Sequence, residues 1–317
     1  MTEPALIEAA GAGDEAAFRE LAEQYRRELD VHCYRMLGSV HDAEDALQET
    51  LLRAWRHLDS FEGRSTFRAW LYRIATNVCL AALGKRPEPP TEEPAVLTPY
   101  PDAWLNELPS EGAEPGARYD LRESVQLALL AAVQTLAPGQ RAALLLRDVL
   151  GFSAKEVAEL LEISPTSVHS AVRRARATVA RSAPERIRPP DDVQRSVVQR
   201  YIDAWESVDI PGLVALMRED AVMTMPPDPA VFLGRHEIGG FFATVPAGGA
   251  LDKIPLVPTR ANRQPAVGAY FPDPEAGVYR PYGIMVLTLD GESIAEITGC
   301  TDPSVFPLLG LSTELRM

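Results

Sequence analysis

The chain has 317 residues, of which 46% are hydrophobic and 24% are charged, and its formal net charge is −14. This length indicates two or three compact domains, and this composition excludes a disordered or fibrous protein. No apolar run is long enough to cross a bilayer, and the first residues lack the basic start and apolar core of a signal peptide. We therefore expect a cytoplasmic protein without a membrane partner.

Residues 5–84 show the periodicity of amphipathic helices. Apolar side chains recur every three or four positions, as in Phe18, Leu21, Tyr25 and Leu29. The pattern predicts consecutive helices and a first all-α domain over residues 1–86.

The following segment, residues 87–117, has the composition of a linker. It holds eight prolines and seven acidic residues but no lysine or arginine, so it cannot pack a core of its own. Tyr100, Trp104 and Leu105 are unusual in a simple tether, and they suggest a point at which the linker docks.

Residues 118–186 are predicted to form a second all-α domain that ends in a helix-turn-helix. Ser153 and Glu156 have the spacing of a capping box, and Ser164-Pro165 provides the cap and first position of the next helix. An ordinary helical hairpin is the alternative. DNA reading is favoured because residues 153–163 carry one lysine and three acids, whereas residues 164–176 carry three arginines and no acid.

The polar side chains on the second helix of this motif are the candidates for contact with base edges and phosphates. They are Thr166, Ser167, His169, Ser170, Arg173, Arg174 and Arg176.

Residues 190–317 are predicted to form a compact α+β domain. Helices are expected at 192–206 and 211–219, and strands at 221–226, 282–289 and 293–301, with a hairpin at Asp290-Gly291. A ligand pocket is conceivable here, and its candidate residues are Asp203, Trp205, Met223, His236 and Tyr282.

Catalysis by this last domain is not indicated, because its acidic and basic residues show no spacing that an acid–base mechanism requires. Met and aromatic side chains also usually fill cores. Cys33, Cys79 and Cys300 are far apart, which argues against a disulfide framework or a zinc site. We expect no metal and no cofactor.

Net charge differs along the chain. It is −3 over residues 1–86, −7 over 87–117, +3 over 118–186 and −7 over 187–317. Since DNA affinity grows with the number of phosphates neutralised, this chain should bind free DNA weakly and need a partner to hold it there.

Two blocks of sequence resemble the extracytoplasmic-function (ECF) sigma factors of bacterial RNA polymerase. The tract from Asp42 to Asn77 resembles sigma region 2, and the tract from Leu136 to Arg176 resembles region 4. The resemblance implies that the chain binds core polymerase, through the β′ clamp helices and the β flap, and binds promoter DNA at the −10 and −35 elements.

The same resemblance assigns roles to residues. The surface for the β′ clamp helices would comprise Asp42, Asp45, Gln48, Glu49 and Arg53. The −10 element would be captured by Arg64, Ser65, Phe67, Arg68, Arg73 and Asn77, and region 4 would read the −35 element through the helix described above. The acidic linker would thread toward the polymerase cleft.

The last domain resembles the SnoaL-like branch of the cone-shaped NTF2 fold, on tracts such as Val198–Trp205 and Gly234–Phe242. In sigma factors with this appendage, the domain is thought to regulate the sigma part in cis through intramolecular contacts. Two alternatives remain: a helix-turn-helix regulator that acts without polymerase, and an enzyme fused to a DNA-binding module.

Overall fold

The computed structural model describes residues 1–63, 65–85, 97–106, 126–182, 188–226 and 228–317. These residues form two compact units. The first unit contains the described residues up to 85, residues 104–106 and residues 129–182, and the second contains 97–103, 126–128 and 188–317. The expected boundaries near residues 86, 118 and 186 lie outside the described residues.

The first part of the first unit is a bundle of helices with well-formed ends. Asp14 accepts hydrogen bonds from the backbone N–H groups of Ala16 and Ala17, and Ser39 accepts one from Asp42. Gly38, with φ of 78°, ends the second helix in the left-handed conformation that glycine adopts readily. The helices are α1 (Glu3–Gly11), α2 (Glu15–Leu37), α3 (Val40–Arg56) and α4 (Phe67–Lys85).

The core of this bundle includes a buried histidine that is held neutral. His32 lies against the edge of the Tyr72 ring and shares a 2.9 Å hydrogen bond with the Thr76 hydroxyl. Burial, together with the positive charge of nearby arginines, lowers the pKa of His32 to about 3. This side chain therefore acts as a packing residue at neutral pH.

The rest of the first unit contains the helix-turn-helix. Ser153 and Glu156 form the expected capping box, and Glu162 adopts a φ of 55° in the turn. A π-helical stretch, Leu145–Val149, continues the helix before the motif, and Leu150 and Gly151 follow it. The helices are α5 (Asp102–Asn106, at the boundary between the units), α6 (Leu127–Gln134), α7 (Pro138–Leu144), α8 (Ala154–Leu161) and α9 (Pro165–Ser182).

The second unit is an α+β domain with a bent mixed sheet. Its helices are α10 (Asp191–Glu206), α11 (Ile210–Ala215) and α12 (Arg235–Thr244). Its strands are β1 (Met217–Met225), β2 (Asp228–Leu233), β3 (Leu256–Ala261), β4 (Gln264–Asp273), β5 (Val278–Asp290), β6 (Ser293–Cys300) and β7 (Leu315–Arg316). The strands run in the order β2-β1-β6-β5-β4-β3, with β1 parallel to β6, and β7 pairs with β5.

The predicted α+β class and the Asp290-Gly291 hairpin are confirmed, but several predicted elements were wrong or missing. The helix expected at 211–219 ends at Ala215, and β1 already begins at Met217. Strands β2, β3 and β4 were not predicted. Most of β4 is buried on both faces, so it lacks the alternation that marks a strand in a sequence.

The concave face of the sheet packs against α10 and α12. Trp205 is buried among Tyr201, Phe242 and strand residues, and its indole N–H donates to the Ile254 carbonyl at 3.0 Å. Register shifts in the β4–β5 and β5–β6 pairs mark bulges, which bend a sheet. No helix among the described residues is long and apolar enough to span a membrane.

Candidate nucleic-acid and polymerase interfaces

The predicted polymerase-binding residues lie along one exposed stripe of α3. Asp42, Asp45 and Gln48 are exposed, and Arg53 donates to the partly exposed Glu49 at 2.6 Å. The opposite side of α3, including Ala43, Leu47 and Ala54, is buried. The helix thus presents a polar stripe with fixed orientation.

An apolar residue in this stripe was missed in the sequence. Leu52 is 42% exposed and follows Gln48 by four positions and Glu49 by three, so it lies between the polar side chains on the helix surface. Apolar residues surrounded by polar ones are typical of interface anchors. The helical spacing of Leu52 from the polar residues can be read from the sequence. The adjacent Leu51 fits a core position, however, and the sequence alone does not show which of the two leucines is exposed.

The predicted −10 residues divide into buried and exposed side chains. Phe67 is 1% exposed and packs against the rings of Tyr25, Phe61 and Trp70, so it belongs to the core and is not free to stack on a base. Ser65 and Asn77 are exposed. Arg64 lies outside the described residues.

Two of the three predicted −10 arginines, Arg68 and Arg73, have partners within the first unit. Arg68 donates to Glu28 at 2.9 Å, and its guanidinium lies 5.0 Å from the centroid of the Tyr72 ring. Arg73 forms an exposed ion pair with Glu162, the residue in the turn of the helix-turn-helix. The Arg73–Glu162 pair therefore connects the predicted −10 surface on α4 with the predicted −35 reader.

Further contacts fasten region 2 to region 4 inside this unit. Arg141 is 5% exposed and donates to the Met36 carbonyl and to the side chain and backbone of Gln134. Gln134 in turn donates to the Arg35 carbonyl at 2.9 Å. These bonds provide donors for the Arg35 and Met36 carbonyls near the end of α2. Arg141, Gln134 and their partners form a buried polar cluster that we call the latch.

Most of the predicted −35 residues form an exposed edge on α9. Ser164 caps the helix by accepting from the backbone N–H of Ser167 at 3.1 Å. Val168 and Val172 point into the core. The exposed or partly exposed side chains on the other faces are Thr166, Ser167, His169, Ser170, Arg173 and Arg174.

Arg176 has a different position from the one expected. Its guanidinium donates two hydrogen bonds, of 2.7 and 2.6 Å, to the carboxylate of Asp148, whose side chain is fully buried. The pair fixes α9 against the π-helical stretch before the motif. Arg176 therefore positions α9, and the pairing of its guanidinium with Asp148 argues against the predicted phosphate contact.

The second unit holds the docking point that the linker sequence suggested. Tyr100 is fully buried; its N–H donates to the Asn262 side-chain oxygen at 2.8 Å, and the Asn262 N–H donates back to the Tyr100 carbonyl at 2.9 Å. Asp102 accepts from the Arg263 N–H at 2.6 Å and from the Arg260 guanidinium at 3.2 Å. We call these contacts the linker clamp.

The clamp is built on a tight hairpin. Asn262 and Arg263 join β3 to β4 as a two-residue loop, with φ of 55° and 61°, the signs of a type I′ turn. Directly after the loop, Gln264 accepts from the Leu127 N–H at 2.9 Å and donates to Thr288 at 2.7 Å. The same hairpin therefore holds the chain at Tyr100 and again at the start of α6.

The second unit also encloses a cavity of about 970 Å³ between the sheet and its helices. Trp205, Met223 and Tyr282 line it, as the sequence suggested. Asp203 and His236 do not: Asp203 is exposed and accepts from Gln199, and His236 lies on the outer surface beside α11. Their helical positions place them on the far sides of α10 and α12.

The cavity offers little for acid–base chemistry. Its described lining contains one carboxylate, the exposed Asp228, and one thiol, Cys300. Burial raises the pKa of Cys300 to about 11, so the thiol stays protonated and is a poor nucleophile at neutral pH. The geometry fits binding better than catalysis.

Sequence comparisons match all three parts of the chain. Residues 21–87 match Sigma-70 region 2, residues 126–179 match Sigma-70, region 4, and residues 193–261 match the nuclear transport factor 2 (NTF2) domain. The chain is 40% identical over 316 residues to ECF RNA polymerase sigma factor SigG of Mycobacterium tuberculosis, with 94% of this chain and 85% of SigG covered.

Two further relatives are similar over different lengths. SigW, an ECF RNA polymerase sigma factor of Bacillus subtilis, is 30% identical over 167 residues, which cover 52% of this chain and 87% of SigW. The crystal structure of the extracytoplasmic function sigma factor SigJ of M. tuberculosis shares the fold, with a TM-score of 0.62, 23% identity, and 92% and 98% of the two chains covered.

Because Arg176 is paired with Asp148 and Arg173 is exposed, we expect replacement of Arg176 to affect mainly protein stability and replacement of Arg173 to affect mainly DNA binding. Arg176→Ala leaves the buried Asp148 carboxylate without its partner, so it should lower the free energy of unfolding by about 2–3 kcal/mol. Arg173→Ala should leave stability within about 0.5 kcal/mol and weaken binding to a −35 element. Urea unfolding and polymerase-dependent DNA binding measure the two effects; equal destabilisation by both variants would contradict the assignment.

Proposed function

Because this chain belongs to the ECF sigma factors of RNA polymerase, we propose that its first unit holds both promoter-reading surfaces in a closed resting arrangement. Sigma factors bind core polymerase and promoter DNA and direct transcription initiation. In this chain, α3 would bind the β′ clamp helices, α4 and the loop before it the −10 element, and α9 the −35 element. Region 4 would also contact the β flap.

The observation that carries the proposal is the contact between the two readers. The −10 and −35 elements lie about 25 base pairs apart, which is about 85 Å along B-form DNA. Arg73 on α4 is in direct contact with Glu162 in the helix-turn-helix, and Arg141 bonds to the Met36 carbonyl at the end of α2. A unit with these contacts cannot occupy both elements, so it must open before it reads a promoter.

The closed contacts also compete with DNA. Arg73 is paired with Glu162, and Arg68 is paired with Glu28, so neither guanidinium offers its full charge to a phosphate. Arg141 is buried, and its hydrogen bond to the Met36 carbonyl forms only while regions 2 and 4 are together, whereas its bonds to Gln134 lie within region 4. Core polymerase would supply the free energy that opens the latch, because it binds the two regions at separate places.

The linker clamp gives the second unit a way to modulate this opening in cis. An extended chain spans at most about 3.4 Å per residue, so residues 85–127 can stretch to about 140 Å. With Tyr100 and Leu127 both held on one hairpin, only residues 85–100 can extend, to about 50 Å. The clamp therefore limits how far region 2 can move from region 4.

Two other functions receive less support. A helix-turn-helix regulator that acts alone would have no use for a polymerase-binding stripe on α3 or a −10 surface on α4. An enzyme in the second unit would need an acid–base pair in the cavity, and its described lining provides only Asp228 and the high-pKa thiol of Cys300.

The stripe on α3 predicts a specific loss of polymerase binding. Leu52→Glu places a carboxylate at the proposed apolar anchor and should weaken binding to core polymerase by about tenfold or more. Leu233→Glu, at an exposed apolar residue of the second unit, is the matched control and should bind normally. Fluorescence anisotropy of labelled chain titrated with core polymerase measures both. Equal affinity of the Leu52→Glu chain and the unaltered chain would rule out the stripe.

The clamp predicts a gain of activity from a conservative change. Asn262→Gly keeps the positive φ of the turn but removes the acceptor for the Tyr100 N–H, a buried hydrogen bond worth about 1 kcal/mol. Transcription with core polymerase present below saturation should rise by about fivefold. Multi-round run-off assays measure the change.

Arg263→Gly is the control for this experiment. It makes the same kind of substitution in the same turn, yet it retains the backbone N–H that Asp102 accepts from. Its transcription should match that of the unaltered chain. The clamp would lose its regulatory role if Asn262→Gly left transcription unchanged, or if both variants raised it equally.

A further inference from the structure

We infer that Phe152 is an internal competitor of promoter DNA, because its ring fills a slot on α4 that suits an unstacked nucleobase of a single strand. The slot consists of the side chains of Arg68 and Tyr72, which both lie on α4. The inference rests on the proposed function, since it takes α4 as the −10 surface and the closed arrangement as the resting one.

The slot combines a flat cation with an aromatic ring. The guanidinium of Arg68 lies 5.0 Å from the centroid of the Tyr72 ring. Glu28 holds both side chains in place, because it accepts from Arg68 at 2.9 Å and from the Tyr72 hydroxyl at 3.1 Å. Unpaired bases stack on aromatic rings and on arginine guanidinium planes. The slot therefore has the chemistry of a base-stacking site that is indifferent to base identity.

The ring of Phe152 contacts both members of the slot. Its centroid lies 5.6 Å from that of Tyr72, with the two rings nearly perpendicular at 72°, and 5.4 Å from the Arg68 guanidinium. Phe152 is 7% exposed, and Tyr72 is fully buried. A nucleobase therefore cannot reach the slot while the Phe152 ring occupies it.

Phe152 belongs to region 4, although its ring stacks on region 2. It precedes the N-cap residue Ser153, where an apolar residue often packs against the fourth helical residue, here Val157. Its backbone N–H donates to the Leu146 carbonyl at 3.0 Å, and its carbonyl accepts from Arg147 at 3.2 Å. The local position accounts for an apolar side chain but not for the contact with region 2. Because this backbone is fixed in region 4, the ring leaves the slot when region 4 moves away.

The consequence is a coupling between opening and DNA capture. The slot is covered in the closed arrangement and becomes available only when region 4 departs. The edge of the Arg68 guanidinium remains bonded to Glu28, so its flat face is the part that is released for stacking. The free chain is thereby kept from binding single strands before polymerase has opened it.

Fluorescence anisotropy of short dye-labelled DNA single strands of randomised sequence, titrated with the full chain in the absence of polymerase, tests the inference. Phe152→Ala empties the slot, so affinity for these strands should rise by about fivefold or more. An abasic strand of the same length carries the same phosphates without bases. Its affinity should be the same for Phe152→Ala and the unaltered chain.

Three further variants separate stacking from loosening and from charge. Phe152→Leu keeps an apolar residue before Ser153 but removes the ring, so its affinity for the randomised strands should also rise. Val172→Ala removes buried apolar surface from region 4 while leaving Phe152 in place, and it should bind like the unaltered chain. Arg68→Lys added to Phe152→Ala keeps the charge without the planar guanidinium, so it should remove most of the gain.

The inference is overturned if neither Phe152 variant binds the randomised strands more tightly than the unaltered chain. It is also overturned if the gain is equal on the abasic strand, or if Val172→Ala produces the same gain. Energy transfer between dyes on regions 2 and 4 reports the proposed closed arrangement separately. Transfer that falls when core polymerase binds, with no gain for either Phe152 variant, would overturn the competitor role of Phe152 and leave the proposed function standing.

Discussion

The contact between α4 and the helix-turn-helix has to be reconciled with the spacing of the two promoter elements. A chain that reads both elements must hold its two reading surfaces about 85 Å apart, yet α4 and the helix-turn-helix are joined by the Arg73–Glu162 pair. Opening would expose Arg141, which is buried in the latch at 5% exposure. Because the hydrogen bonds from Arg141 to the Met36 carbonyl and from Gln134 to the Arg35 carbonyl join the two regions, we propose that the latch favours the closed arrangement and that core polymerase opens it.

The β3–β4 hairpin and the strand that follows it contact the linker, the start of α6 and the cavity. Its turn, Asn262-Arg263, holds the linker, and Gln264 holds the start of α6. Further along β4, Ala269 and Phe271 line the apolar cavity. The clamp and the lining of the cavity therefore share strand β4 and its turn.

The sequence predicted the helices of the helix-turn-helix well because their signals are local. The capping box at Ser153 and Glu156 and the proline after Ser164 define the helix-turn-helix within a few residues. Strand β4 was missed because burial on both faces removes the alternation of apolar and polar residues. The turn at Asn262-Arg263 was missed because it lacks the glycine that usually marks a type I′ hairpin.

The sequence indicates which residue types could form the candidate sites, but it does not show which residues contact one another. The polar edge of α9 follows from helical spacing, whereas the pairing of Arg176 with Asp148 joins residues 28 positions apart and depends on tertiary packing. Asp203 and His236 were placed in the cavity by residue type, but helix geometry turns both outward. The linker aromatic Tyr100 was suspected of docking, and only the fold identifies Asn262 as its partner.

The proposed opening of the first unit would appear as an increase in the distance between regions 2 and 4. Dyes attached to cysteines introduced at the exposed residues Arg19 and Glu159 would report that distance by energy transfer, and the three native cysteines are buried. We expect high transfer in the free chain and a large loss of transfer when core polymerase binds. Low transfer in the free chain, or high transfer that persists on polymerase, would contradict it.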